Sequence, residues 1–239
     1  NKGIEILTDS SIDSAIYKDG EVHAEISKEG TKTIIKAEKL LSAVGIQSNI
    51  ENIGLEEIDI KTENGKVSVN EFYETNVPNH YAIGDIVNGP ALAHVASAEG
   101  IICVEKIANL NPEVIDYNNI PGCTYCSPEI ASVGLTEEEA KSNGYEVKIG
   151  KFPFSASGKA SAAGKNQGFV KLIFESKYGE LIGAHMIGYN VTEMIAEIVA
   201  IRKLETTAHE LIKTIHPHPT MSEAIMEAAA AAYDEVIHL

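Results

Sequence analysis

The stretch His216-Pro217-His218-Pro219-Thr220-Met221-Ser222-Glu223 is the most informative part of this 239-residue sequence. Its two prolines restrict the backbone around His218 and keep that residue extended. Thr220 is a preferred helix N-cap, and Glu223 follows it at the spacing of a capping box. The stretch therefore predicts a rigid loop that presents His218 just before a helix beginning at Thr220.

An imidazole held beside a carboxylate suits a general acid/base. Glu223 can accept the Nδ1 proton of His218 in a hydrogen bond, which leaves Nε2 free to exchange protons with a substrate. The pattern alone leaves two alternatives. Thr220 and Glu223 can form a capping box and nothing more, with His216 and His218 as surface turn residues. A zinc site at the two histidines is a weaker alternative, because no Cys, Asp or Glu set at metal-site spacing accompanies them.

The region upstream of this loop is predicted to be a compact α+β unit. Thr136 with Glu139 forms a capping box that opens one helix, and Asn190 with Glu193 opens another, which runs to about Leu204. Short runs rich in apolar residues indicate the strands between the helices. The predicted strands are Glu146–Phe152, Phe169–Phe174 and Leu181–Ile187.

A second motif, at residues 75–85, ends in Gly84-Asp85 after a predicted buried strand at Tyr81–Ile83. An aspartate just beyond a strand lies where α/β sheets bind ligands, and its carboxylate can accept sugar hydroxyls. A helix is predicted from about Pro90 to Asn109, and its N-terminal amides would point toward the same crevice. This arrangement suits a flavin, whose reduced ring carries negative charge. Because a glycine and an aspartate after a strand are common, an ordinary strand end remains an alternative.

The N-terminal third of the chain is predicted to be mainly β structure. Turn signals at 18–20 and 29–30 separate short β-branched runs, and Lys39–Gly45 has the composition of a buried strand that ends at a glycine. Residues 111–119 are predicted to connect two domains. The other predicted strands of this region are Ile4–Leu7, Val22–Ile26, Thr33–Ile35 and Gly65–Val69.

Composition excludes several classes of function. Asp and Glu total 35 against 19 Lys and Arg, a formal net charge of −16, and no basic cluster reverses the sign locally, so nucleic-acid binding is not expected. No run approaches the roughly 20 apolar residues of a membrane helix, and no secretory signal is visible. Three cysteines favour a reducing compartment. We therefore expect a cytoplasmic protein, or one of the mitochondrial matrix if the source is eukaryotic.

The pair Cys123-x-x-Cys126 is open to three interpretations: a thioredoxin-like redox pair, half of a zinc knuckle, or two unpaired thiols on a strand. The third is favoured because no second cysteine pair exists. A spacing of three also places strand side chains on opposite faces, which is poor geometry for a disulfide.

The pattern His-x-His-Pro-Thr-x-x-Glu, followed by an alanine-rich helix, is similar to the signature of the dihydrolipoamide dehydrogenases in the pyridine nucleotide-disulfide oxidoreductase family. The resemblance implies that His218 is the catalytic base and that Glu223 orients it. It also implies a homodimer in which this loop crosses the interface, so that each histidine serves the redox disulfide of the other subunit. Glutathione reductase-like chains differ in having a single histidine before Pro-Thr.

The motif at Gly84-Asp85 resembles the second FAD-binding segment of the same family, together with the Ala93-His94 pair downstream. The resemblance implies that Asp85 contacts the ribityl chain or the adjoining phosphate and that Ala93 and His94 lie near the isoalloxazine. Many members have lysine where this chain has Val95.

Residues 43–45 resemble the junction where the NAD domain returns to the FAD domain, which implies cofactor contacts at Val44 and Gly45. Relatives often continue with Gly-Arg-x-Pro-Asn. Ile46 and Ser48 replace that arginine and proline here, so a cofactor contact assigned to the arginine is not expected in this chain.

The resemblance covers only the later half of the family, because the sequence has no Gly-x-Gly-x-x-Gly fingerprint and no Cys-x4-Cys redox pair. The implied fold class is α/β and α+β: the end of a two-nucleotide-binding-domain flavoprotein reductase, followed by an α+β dimer-interface domain with an antiparallel sheet and helices. Residues 1–41 would be the last strands of the NAD domain, 42–117 the central FAD-contacting segment and 118–239 the dimerisation domain.

The implied reaction is the oxidation of dihydrolipoamide through the disulfide and FAD, with reduction of NAD+. The implied partner is the lipoyl-bearing component of a 2-oxo acid dehydrogenase complex, and the isolated chain is expected to be inactive. Two alternatives stay open: another flavin disulfide reductase of the superfamily, and a non-catalytic dimerisation module.

Overall fold

The computed structural model describes residues 3–238, which form two compact units. The first unit extends to Asn49 and the second begins at Ile50. None of the helices in residues 3–238 has the length and apolar character needed to cross a bilayer.

The first unit contains an antiparallel meander of three strands, β1 (Ser10–Lys18), β2 (Glu21–Lys28) and β3 (Thr31–Ala37). Asp19-Gly20 and Glu29-Gly30 connect them with positive φ at both residues, the backbone of hairpin turns that match the strand twist. The two turns lie where the sequence predicts them. The predicted strand at Ile4–Leu7 is wrong, because the first hairpin extends back from its turn only as far as Ser10.

The segment Lys39–Gly45 is irregular and exposed, so the prediction of a buried strand is wrong for the described structure. Leu41 is 88% exposed and Val44 is 92% exposed. A strand requires hydrogen bonds to a neighbouring strand, and this segment pairs with none within residues 3–238.

The second unit begins with a short hairpin, β4 (Thr62–Glu63) and β5 (Lys66–Val67), which pair across Asn64-Gly65. The predicted strand Gly65–Val69 is thus shortened to two residues. The predicted strand Tyr81–Ile83 is also wrong: its backbone makes a single bridge, between Tyr81 and Glu74, because a tight turn follows at Gly84–Ile86.

The helix predicted after Pro90 is present as α1 (Ala93–Ile107), and Asn109 follows it with a positive φ. It begins later than predicted because Pro90 and Leu92 form a turn, in which the Leu92 N–H donates to the Pro90 carbonyl. Short 3-10 turns occupy Glu56–Ile58, Gly84–Ile86, Tyr117–Asn119 and Phe154–Ala156.

Within the described residues, which end at 238, the rest of the second unit is a five-stranded antiparallel sheet with helices. Its strands lie in the order β6-β7-β10-β9-β8. The elements in chain order are β6 (Gly122–Thr124), β7 (Glu129–Gly134), α2 (Glu137–Ser142), β8 (Val147–Pro153), α3 (Gly158–Ala162), β9 (Phe169–Glu175), β10 (Leu181–Gly188), α4 (Val191–Lys203), α5 (Ala208–Lys213) and α6 (Glu223–Ala231).

The core of this part lies where α4 and α6 pack on the sheet. Strand residues alternate between two faces, so Leu172 and Phe174 contribute to this core, while Ile173 packs with Ala140 of α2 on the other side. The three strands and the two helices predicted upstream of the loop are confirmed to within a residue or two, and so is the capping box of Thr136 with Glu139. Asn190 precedes α4 but adopts a left-handed conformation and does not cap it with its side chain.

The alanine-rich helix α6 begins at Glu223, three residues after the predicted start, because Thr220 stays in the loop. Its alanines allow a very close approach to the sheet. A Cβ built on Gly150 of β8 would lie 1.7 Å from the Ala228 carbonyl oxygen, and Ala228 is fully buried. The backbone of α6 therefore rests directly on a glycine of the sheet, and this contact fixes the position of Glu223.

Candidate active site

The loop before α6 holds His218 against Glu223, as the sequence predicts. Nδ1 of His218 lies 2.8 Å from Oε1 of Glu223, and the imidazole is 78% exposed. An ionised carboxylate can only accept, so Nδ1 carries the proton and neutral His218 keeps its lone pair on Nε2. Nε2 has no hydrogen-bond partner among residues 3–238. Glu223 thus fixes the orientation of the ring, and Nε2 is left open to solvent.

The second oxygen of Glu223 holds the loop itself. Oε2 accepts the N–H of Thr220 at 2.7 Å, while the Thr220 hydroxyl donates to the Pro217 carbonyl at 2.7 Å. Only the carboxylate half of the predicted capping box is therefore formed, because the hydroxyl closes the loop instead of capping α6. One carboxylate thus orients the imidazole and fixes the backbone that carries it.

The electrostatics of the loop favour an ionised Glu223. Partial burial raises the pKa of this carboxyl, but the Thr220 N–H and the His218 ring lower it by more, so the pKa lies below its ordinary value. Glu223 is also the first residue of α6, where the helix dipole favours negative charge. Glu223 is therefore available as a carboxylate that accepts the hydrogen bond from Nδ1 of His218.

His216 does not share the environment of His218. Its ring is only 5% exposed, and Nε2 lies 2.8 Å from Oε1 of Glu197 on α4. The interpretation of His216 as a surface turn residue is wrong, because the ring turns inward to this carboxylate. Both ring nitrogens of His216 have hydrogen-bond partners, Glu197 at Nε2 and the Thr214 carbonyl oxygen at Nδ1.

Gly84 and Asp85 lie in the turn before α1. Gly84 has a φ of 75°, and its N–H donates to Oε2 of Glu99 at 2.6 Å. A Cβ on Gly84 would lie 3.2 Å from the side chain of Ala96, so the turn sits close against α1. Asp85 is exposed, and its carbonyl accepts a hydrogen bond from Lys66.

A buried polar network lies under this turn. Glu99 of α1 is 1% exposed, and its Oε1 accepts the Tyr117 hydroxyl at 2.8 Å. The Tyr73 hydroxyl lies 3.2 Å from that of Tyr117. Burial raises the pKa of Tyr117, so its hydroxyl stays protonated and can donate to the carboxylate. Glu99 therefore joins the turn at Gly84 to α1 and to the 3-10 turn at Tyr117–Asn119.

The remaining sequence-predicted residues are placed as follows. Ala93 is the first residue of α1, and His94 is exposed with Nε2 donating to the Pro121 carbonyl at 3.1 Å. Val44 and Gly45 belong to the first unit, where both are exposed. No hydrogen bond in the described part of the chain links the His218–Glu223 pair to the turn at Gly84.

Two family models match the chain. The model described as pyridine nucleotide-disulphide oxidoreductase matches residues 1–100, and that of the family's dimerisation domain matches residues 120–229. The chain belongs to the pyridine nucleotide-disulphide oxidoreductase family.

Curated relatives extend this family assignment. A dihydrolipoyl dehydrogenase of Bacillus subtilis is 50% identical over 239 residues, which are 99% of this chain and 50% of the relative. A dihydrolipoyl dehydrogenase of Rhizobium etli is 47% identical over the same share of each chain. The chain spans about half the length of these relatives.

Two solved structures have the same fold. LpdA of Mycobacterium tuberculosis matches with a TM-score of 0.86 at 23% identity, over 95% of this chain and 49% of that one. The HOCl-induced flavoprotein disulfide reductase RclA of Escherichia coli matches with a TM-score of 0.84 at 21% identity, over 92% of this chain and 50% of that one. At these identities the likeness concerns the fold alone, and it confirms the predicted fold class.

The cysteines of this pyridine nucleotide-disulphide oxidoreductase chain are free thiols. Cys123 is half-buried in β6, and burial raises the pKa of its thiol. Cys126 lies beyond the strand and is exposed, with Sγ donating to the Pro128 carbonyl at 3.0 Å. The prediction of unpaired thiols is confirmed, but the placement of both on a strand is wrong because the chain turns after Thr124.

Sequence reasoning missed the roles of two glutamates in this family member. Glu99 falls among the buried positions Val95, Ile102 and Cys103 of α1, and a lone charge on an apolar helical face is a signal for a buried, paired group. Glu197 gives no such signal, because it lies at the half-exposed edge of α4, where a glutamate is common.

Proposed function

We propose that the polypeptide carrying this chain oxidises dihydrolipoamide and that His218 is its acid/base residue. The observation that carries the proposal is the 2.8 Å hydrogen bond between Glu223 and the exposed ring of His218. The relatives named dihydrolipoyl dehydrogenase, at 47% and 50% identity, support the choice of substrate. The redox disulfide would come from the part of the relatives' length that this chain does not span.

The proposed role of His218 follows from its protonation state. Nε2 accepts a proton from a dihydrolipoamide thiol, and the resulting thiolate is the species that attacks a disulfide sulfur. Glu223 stays ionised and stabilises the imidazolium through Nδ1. The attack forms a mixed disulfide and breaks the original S–S bond, and Nε2 returns the proton to the sulfur that leaves as a thiolate. FAD, when bound, would accept the electron pair and pass it to NAD+.

The turn at Gly84 has features that fit a flavin. The glycine at position 84 lets the turn sit close against α1, Asp85 is exposed, and the leading N–H groups of α1 at Ala93 and His94 provide partial positive charge. We propose that these four residues of the second unit hold the cofactor, while the contacts expected at Val44 and Gly45 stay a prediction from the sequence. Glu99 would keep the turn in place from beneath.

The assembly is proposed on the same basis. Residues 118–239 would form the dimerisation domain, residues 42–117 the central FAD-contacting segment and residues 1–41 the end of the NAD domain, and the match of residues 120–229 to the dimerisation model supports the first assignment. A homodimer would bring each His218 to the disulfide of the partner. The lipoyl-bearing component of a 2-oxo acid dehydrogenase complex would be the macromolecular partner, in the cytoplasm or the mitochondrial matrix.

The test is an assay of the native polypeptide purified from its source. We expect a flavin spectrum and NAD+ reduction that depends on dihydrolipoamide. In the reverse direction, lipoamide should support NADH oxidation, and glutathione disulfide should not support it at a comparable rate. A flavin protein that prefers glutathione disulfide would instead identify another disulfide reductase of the family. A colourless protein without turnover would support a non-catalytic dimerisation module.

Replacing Glu99 by glutamine is expected to weaken FAD binding roughly tenfold or more. A glutamine has one oxygen, so either Gly84 N–H or Tyr117 hydroxyl loses its acceptor, and a hydrogen bond to a charged group contributes about 1.5–3 kcal/mol. Fluorescence titration of the apoprotein with FAD measures the effect. Glu105→Gln is the matched control on the same helix, and equal FAD affinity in both variants would contradict the role of Glu99.

A further inference from the structure

Two histidine–glutamate pairs anchor the loop that carries His218, one to each neighbouring helix. His218 bonds Glu223 of α6, and His216 bonds Glu197 of α4. The two imidazoles differ sharply in exposure, with 78% of the His218 side chain exposed and 5% of the His216 side chain. The inner pair is therefore shielded from solvent, whereas the outer pair is open to a substrate.

The hydrogen bonds of His216 define its protonation state. Nε2 lies 2.8 Å from Glu197 Oε1, and Nδ1 lies 3.1 Å from the Thr214 carbonyl oxygen. Both partners are acceptors, and a neutral imidazole has only one N–H to offer. Only the imidazolium satisfies both, so the ring is a buried cation paired with a carboxylate.

The charges around His216 agree with this geometry. The hydrogen bond to Glu197 raises the pKa of His216 above its ordinary value, in spite of the opposing effect of burial, and the charge of Glu223 acts in the same direction. The carboxylates that act on the ring are thus Glu197 of α4 and Glu223 of α6. The cation is therefore hydrogen-bonded to α4 and also stabilised by the charge of a carboxylate on α6.

The position of the pair explains what it does for the loop. His216 precedes His218 by two residues, and Pro217 between them limits the backbone freedom of the connection. Glu197 and the loop residues Pro219 and Thr220 line one cleft. The bond of His218 to Glu223 changes in strength when the proton moves, whereas the bond of His216 to Glu197 lies outside the proposed proton transfer and can hold the loop throughout.

We propose that His216, held by Glu197, is a positioning residue that keeps His218 aligned with Glu223 during proton transfer. The inference rests on the proposed function, because it assigns a role relative to the acid/base histidine. It also predicts a pH limit. The pKa of His216 is raised in the folded protein, so the stabilisation is fully present below the unfolded pKa of about 6.5 and is lost as pH rises through the folded pKa.

The inference is tested in the full flavoprotein by measuring kcat and KM for dihydrolipoamide across pH. His216→Gln is expected to lower kcat about tenfold, since small misplacements of a catalytic group are costly, with KM changed less than about twofold. The variant should also lack the alkaline loss of activity caused by His216. Glu197→Gln keeps the size of the side chain and one acceptor oxygen but removes its charge. Because that charge raises the pKa of His216, the loss of activity should then occur at lower pH. Glu193→Gln, one turn earlier on α4, is the matched control.

The outcomes separate the inference from the proposed function. If His218→Gln leaves turnover unchanged, the proposed function fails. If His218→Gln abolishes turnover while the His216 and Glu197 variants keep the wild-type pH profile, the positioning role alone fails. A lower melting temperature with an unchanged pH profile also overturns it, because a purely structural pair would behave so. If His216→Gln does not fold, Glu197→Gln still decides. Nitrogen NMR of the wild-type ring decides as well, because the two acceptors around His216 require a proton on both ring nitrogens.

Discussion

Replacing His218 by glutamine is expected to lower dihydrolipoamide turnover by roughly 10²–10⁴-fold, the usual contribution of a positioned acid/base. A glutamine amide does not take up a proton near neutral pH, so the thiol must ionise without help. Its NH2 group can still donate to Glu223, which lies 2.8 Å from the histidine nitrogen in the wild type. The side chain is 78% exposed, so the fold should tolerate the change.

Steady-state NADH formation measures the effect, and the melting temperature and FAD content show whether the protein is intact. His23→Gln is the matched control, because His23 of β2 also lies beside a carboxylate, that of Glu21 at 2.9 Å, but belongs to the first unit. Glu223→Gln should give a smaller loss than His218→Gln, since the proton acceptor remains while its orientation is weakened. Turnover of the His218 variant within about twofold of the wild type would refute the acid/base role.

The sequence predicts those contacts of the candidate site that form between residues close together in the chain. His218 and Glu223 are five residues apart in a loop restrained by two prolines, so residue order almost determines that they meet. The pair of Glu197 with His216 spans nineteen residues and two elements. No local pattern specifies such a contact, because it depends on how α4 and the loop pack on the sheet.

The same distinction explains the fold. Strands β8, β9 and β10 are confirmed because each pairs with a neighbour in an antiparallel sheet whose faces are covered by helices. The run Lys39–Gly45 has equally apolar residues but no paired strand within residues 3–238. Apolar composition predicts that a segment will be covered, and it does not identify the covering element.

Replacing Gly150 by alanine is expected to destabilise the second unit by about 3 kcal/mol, the upper part of the usual range for overpacking. The new Cβ would lie 1.7 Å from the Ala228 carbonyl oxygen and 2.9 Å from the Ala232 nitrogen. These are backbone atoms, so no side-chain rotation can relieve the clash. Helix α6 must move away from β8, and its buried alanines then lose their contacts with the sheet.

Urea unfolding of wild type and variant measures the loss, and turnover measures its consequence, because Glu223 moves with the helix it begins. Gly158→Ala is the matched control: nothing lies within 4 Å of its added Cβ, and alanine is the better helix former in α3. Both substitutions reduce the chain entropy of the unfolded state in the same way, so a loss of stability at Gly150 that is absent at Gly158 reports the contact with α6. Equal unfolding midpoints for the two variants would mean that α6 does not rest on Gly150. The His218–Glu223 pair would then need another support.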